Sequence, residues 1–167
     1  MPQRAYEFGA LVDRYALPAI PELRAPPSRL ESGLRDLDRE RIAEAGGRLL
    51  GLGPGLTPSG DDILCGLLLS CRALAAADPP MEVATETLVD IIQEQALART
   101  TLASAALLSH AARDECIPQV AALFETLDAG EELTRPLTVL LAVGHHSGSD
   151  LARGMALGLL TSHAHKT

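Results

Sequence analysis

One stretch of this chain occurs twice in related form. Ser59-Gly60-Asp61-Asp62-Ile63-Leu64-Cys65-Gly66 aligns with Ser147-Gly148-Ser149-Asp150-Leu151-Ala152-Arg153-Gly154, so that Ser, Gly, Asp and Gly coincide at four offsets. Each copy reads as a loop running into a helix. The start of a helix carries unsatisfied N–H donors and partial positive charge, here beside a serine hydroxyl and a carboxylate. Two such starts facing each other make a polar pocket, and the sequence predicts that they converge on one cleft with Asp62 and Asp150 on its walls. Gly66 and Gly154 fall in the second turn of their helices, where glycine costs about 1 kcal/mol relative to alanine. Close helix packing is the favoured reason for them, with ligand approach as the other.

The rest of the chain supplies helices to surround those two. Hydrophobic residues make up 47% of the 167 residues but aromatics only 2%, so the core is built from Leu, Ala, Val and Ile. Residues 1–17 are compatible with a short helix. Residues 18–33 contain Pro18, Pro21, Pro26, Pro27 and Gly33, and that density predicts an extended linker rather than a regular helix. From Leu34 to Leu50 a helical pattern points Leu34, Leu37, Ile42 and Leu49 inward and ends at Gly51. Residues 61–77 read as a buried helix and 82–98 as an amphipathic one, and a further helix spans about Thr101 to Arg113. Val120, Leu123, Phe124 and Leu127 mark a helix stopped by Gly130, Leu137–Val143 follows Pro136, and the last helix spans about Ser149 to His163. No alternating strand pattern is present. The expectation is an all-α, single-domain helical bundle, with residues 1–33 as N-terminal segment and linker and 34–167 as the helical domain.

Several function classes fall away. A formal net charge of -8 opposes a phosphate-tracking surface, so nucleic acid is not an expected partner. Met1–Leu17 lacks the apolar run of a secretory signal, and Ile63–Ala77 contains Arg72 and is too short to span a bilayer. A cytoplasmic protein without a membrane partner is expected. Cys65, Cys71 and Cys116 lack the paired spacing of zinc or redox motifs and read as reduced core residues.

The chemistry concentrates around the two turns. Gly51-Leu52-Gly53-Pro54-Gly55-Leu56-Thr57-Pro58-Ser59-Gly60 combines four glycines with two prolines, which can hold backbone N–H groups in a fixed array. It is neither a Walker loop nor a dinucleotide fingerprint. Taken singly, each Ser-x-x-Asp resembles a capping box; the pair, the added Asp61 and the glycine loop together point to a site. Asp61 and Asp62 repel a bare anion, so the ligand either carries Mg²⁺ between itself and the carboxylates or offers amide N–H groups to them. Asp61, Asp62, His145 and Asp150 are the candidate catalytic residues. Gly53, Gly55, Thr57, Ser59, Gly60, Thr101, Ser104, His146, Ser147 and Gly148 are the candidate ligand-binding ones. A helix-start cap is the favoured role of Thr100 or Thr101, a satisfied core position that of His110, and a tail position that of His163 and His165. No cofactor is required by these residues; Mg²⁺ is the one candidate.

Gly51-to-Asp62, Thr100-Thr101-Leu102-Ala103-Ser104 and Gly144-to-Asp150 together resemble a family long catalogued as a domain of unknown function, which includes the AllH-type subunit of oxamate carbamoyltransferase. The resemblance covers about residues 46–160. Members are usually longer at the N-terminus, so the chain looks like a shortened member or a C-terminal portion. The resemblance implies a role beside other carbamoyltransferase subunits, moving a carbamoyl group between oxalurate, phosphate and oxamate in allantoin and purine-nitrogen catabolism. It brings no residue-level assignment. The leading expectation is a subunit that binds a small carbamoyl- or phosphate-bearing ligand. A second is a Mg²⁺-dependent hydrolase built on Asp61, Asp62 and Asp150, by analogy with the all-helical ADP-ribosylglycohydrolases. A third is a non-catalytic assembly subunit.

Overall fold

In the computed structural model, which describes residues 2–17, 20, 23 and 28–162, two helices form the axis of the domain. They are α4 (Ser59–Ala75) and α9 (Ser147–Thr161), the helices that begin in the two related turns. The other elements are α1 (Pro2–Tyr15), α2 (Ser28–Asp36), α3 (Arg39–Leu49), α5 (Met81–Arg99), α6 (Leu102–Ala112), α7 (Pro118–Ala129) and α8 (Thr134–Leu141). All regular structure among the described residues is helical, as the sequence predicts. Helix α1 packs on α9, α5 and α6 pack on α4, α3 on α5, and α8 on α9.

Backbone contact sets the spacing of the central pair. A Cβ on Gly66 would lie 2.1 Å from the carbonyl oxygen of Leu151, and one on Gly154 would lie 2.0 Å from that of Ile63. These partners are equivalent positions in the repeated segment, so the contact is reciprocal. Packing is therefore the reason for both glycines. The same relation extends down the helices: Ser70 Oγ donates to the Met155 carbonyl at 3.1 Å, and Gly158, the counterpart of Ser70, leaves room for the Ser70 Cβ. Around this seam Leu64, Leu67, Leu68, Ala152 and Met155 are at most 1% exposed, and Phe8 and Val12 of α1 close one side. This is the Leu- and Ala-rich core that the composition demands.

The structure corrects the N-terminal third. Helix α2 spans the boundary expected at residue 33, so the last part of the proline-rich stretch is helical rather than extended; Pro18, Pro21, Pro26 and Pro27 lie outside the described residues. The single helix expected over 34–50 is also broken. Leu37 takes a left-handed φ of 53°, and the Asp38 side chain caps α3 by accepting the Arg41 N–H at 3.1 Å. Leu34, Ile42 and Leu49 are buried as expected, but Leu37 is only half-buried at this break. Helices α4 and α9 each begin two residues earlier than expected. His163 and His165 lie outside the described residues. No helix among those described is long and apolar enough to cross a membrane.

The reciprocal contact makes a prediction. Gly154→Ala places a methyl against a main-chain oxygen and should lower stability by at least about 3 kcal/mol in urea unfolding. Gly47→Ala, in α3, where an added Cβ would come no nearer than 3.4 Å to the Gln95 side chain, should be neutral or gain up to about 1 kcal/mol.

Candidate functional site

Neither serine caps its helix. Ser59 and Ser147 each stand one residue inside, after Pro58 and His146, and neither end has a side-chain cap hydrogen bond. The capping-box alternative, which each turn offers when taken singly, holds for neither, because the serine sits at the first helical position instead of before it. Ser147 is used differently: its Oγ lies 2.9 Å from Thr57 Oγ1, which joins the glycine loop to the start of α9. The two turns do meet.

The adjacent aspartates have separate jobs. Asp61, 1% exposed, accepts the Gly51 N–H at 2.8 Å and the Ser104 hydroxyl at 2.7 Å, and also accepts from Thr100 Oγ1. It ties the loop to the α5–α6 junction. Thr101 caps α6 by accepting the Ser104 N–H at 3.1 Å and donates its own hydroxyl to the Leu56 carbonyl, a second tie on the same loop. Thus Thr101 takes the expected cap role, while Thr100 and Ser104 serve Asp61.

Asp62 lies one helical step further round. It is 5% exposed, and its Oδ2 has no hydrogen-bond partner. Burial is the main reason its pKa is pushed up to about 7; the Ser147 hydroxyl opposes this, the charges of Asp150 and Asp61 reinforce it, and the Thr57 hydroxyl opposes it. Asp150, 1% exposed, thus acts on Asp62 as a like charge from the matching position of α9.

Asp62, Thr57 and Ser147 line a cavity of about 430 Å³. Its walls are mainly aliphatic, from Leu69, Leu107, Ile117, Val120, Val143 and Leu151, with Cys65 and Gly144 also lining it. His110, Glu115 and Cys116, all exposed, complete the lining. Other candidate residues stand apart from it. Ser59 is buried at the start of α4, and Gly60 and Gly148 abut the carbonyls of Leu49 and Leu140. Gly53 and Gly55 shape the loop with φ of 122° and 96°. His145 is exposed and His146 half-buried, their rings edge-to-face at 4.3 Å, and neither lines the cavity.

Two sequence expectations change here. His110 is an exposed residue hydrogen-bonded to Glu115, not a core position, because it lies on the outer face of α6 while Leu108 and Ala111 of the same turn are buried. Of the cysteines, Cys71 is buried, Cys65 is half-buried and Cys116 is exposed, and all three are free. The lining residues that reasoning from the sequence missed are Cys65, on α4 within the repeated segment, His110, in the last turn of α6, and Glu115 and Cys116, on the α6–α7 connection; the last three carry no motif and are brought in by tertiary packing. The metal expectation has no matching donor set: among the described residues no group of three His, Cys, Asp or Glu side chains could hold an ion. Asp61 spends both its oxygens on protein donors.

Residues 49–159 match the family described as oxamate carbamoyltransferase subunit AllH. This chain belongs to the AllH family. The matched span opens at the end of α3 and closes within α9, so it contains both turns, the cavity and the glycine seam that are thereby features of an AllH-family domain. No solved structure matches the chain.

Opposite outcomes are expected for the two neighbouring aspartates. Folded, Asp62 keeps its proton to about pH 7; the ordinary value is 3.8. Between those values the folded state holds the extra proton, so this group lowers stability as pH rises. Asp62→Asn should therefore melt above wild type at pH 8, by on the order of 1–4 kcal/mol, with the gap closing toward pH 4. Asp61→Asn disrupts three hydrogen bonds, one buried and two part-buried, and should cost about 2–4 kcal/mol at pH 8. Melting curves of both variants across this range provide the check.

Proposed function

We propose that this AllH-family chain is the carbamoyl-recognising subunit of an oxamate carbamoyltransferase, and that Asp62, Thr57 and Ser147 bind the carbamoyl amide. The observation that carries the reading is the buried Asp62 carboxyl with Oδ2 unpartnered on a cavity. A carbamoyl group offers N–H donors and one carbonyl oxygen. An ionised Asp62 accepts the N–H groups, and the Thr57 and Ser147 hydroxyls can turn to donate to the oxygen. A bare phosphate fits less well, since Asp62 and Asp150 place like charge where it would sit.

In this reading Asp61, Thr101 and Ser104 position the loop, Gly53 and Gly55 give it its path, and the charge of Asp150 adds to burial in holding the proton on Asp62. His145 and His146 then flank the site without touching the carbamoyl group. The chain works beside other carbamoyltransferase subunits in the cytoplasm, where oxalurate from allantoin breakdown supplies the carbamoyl group.

Binding of an N–H donor favours the ionised carboxylate. Affinity for a carbamoyl ligand should therefore rise as pH increases through about 7 and level off above it, falling about tenfold per unit well below. Asp62→Asn is nearly isosteric, so it should keep the fold while lowering carbamoyl transfer by the assembled enzyme at least about tenfold, or about 1.4 kcal/mol. Transfer assays at equal folded concentration across pH 5–9 test both statements. Full turnover by Asp62→Asn would leave the chain as an assembly subunit.

A further inference from the structure

The cavity contains a mismatch. Among the described residues its lining includes no lysine or arginine, while Asp62 and Glu115 contribute carboxylates and Asp150 adds a buried one behind Asp62. Oxamate joins its amide to a carboxylate, and any phosphate-bearing carbamoyl compound is likewise an anion. The polar corner can meet the amide end of such a ligand, but among the described lining residues the one side chain able to carry positive charge is His110, and it is already paired with Glu115. Arg113, near the exposed lining, is already engaged by Glu115 at 3.3 Å and Ser109 at 2.9 Å and forms no part of the lining.

Size points the same way. At about 430 Å³ the cavity falls in the range that holds drug-sized molecules, about 300–1,000 Å³. Oxamate fills only a small part of it. The remaining walls are aliphatic, which suits the methylene stem of a long basic side chain whose charged head lies at the polar end.

We propose that the Asp62 cavity is half of a shared site: an arginine or lysine of a second subunit enters past Cys116 and His110 and neutralises the anionic end of the ligand. This rests on the carbamoyl reading of the same cavity. The partner surface is basic at this point, which complements a chain of net charge -8 and favours encounter in the correct orientation. The aliphatic walls exclude water around the paired charges, so the cation acts more strongly there than on an open surface.

The experiment supplies the missing cation in cis. Leu107 lines the cavity and is 41% exposed, so Leu107→Arg can present a guanidinium without disrupting the core. Cys116→Arg does so from a second, exposed position and covers the case in which the first variant misfolds. Oxamate and neutral propionamide are titrated into the isolated wild-type chain and both variants, followed by NMR. Either variant should bind oxamate at least about tenfold more tightly than wild type, with no gain for propionamide and with the gain lost in an Asp62→Asn background. Wild type binding oxamate as tightly as the variants would overturn the shared site but leave the carbamoyl reading intact. Failure of every protein to bind either compound would overturn both. In the assembled enzyme, alkylation of Cys116 by N-ethylmaleimide should slow at least about tenfold as the entering side chain covers it; an unchanged rate would equally overturn the inference.

Discussion

The contact between α4 and α9 is made by main chain on both sides. Gly66 meets the Leu151 carbonyl and Gly154 meets the Ile63 carbonyl, so the helices stand as close as two backbones allow. Because the partners are equivalent positions, the contact fixes register as well as distance. Asp62 and Asp150, one residue before Ile63 and Leu151, are thereby brought near each other, and the Thr57 to Ser147 hydrogen bond forms across the same end. The raised pKa of Asp62 follows from helix packing: two acids share one dry corner because the seam holds them there.

The helical architecture is legible because hydrophobic periodicity reports burial directly, and in α5 and α7 that pattern is continuous. It fails at Leu37 and Asp38 for an equally physical reason. A single left-handed residue followed by a side-chain cap ends one helix and starts another without interrupting the apolar spacing. Likewise α2 starts at Ser28, since a proline disfavours a helix that runs through it and not one that begins after it.

At the site, local pattern and tertiary placement part company. The repeat of Ser, Gly and Asp correctly brings the two turns together, since it encodes the backbone contacts that pair them. It also places Asp62 on the cavity wall as expected, but Asp150, expected beside it, does not line the cavity, and nothing in the repeat shows that Asp61, a single helical step from Asp62, is satisfied three times over. The α6–α7 connection is invisible in advance because Cys116 and Glu115 reach the cavity through distant packing, not through any spacing along the chain.

Since backbone atoms fix the α4–α9 geometry, the aliphatic residues around the cavity are relieved of that duty. Leu107, Ile117 and Val143 shape the space without setting where Asp62 stands. The position of the acid and the shape of the space beside it are therefore separable in this fold. A protein engineer could recut the walls, making the cavity wider or narrower, and keep the acid in register.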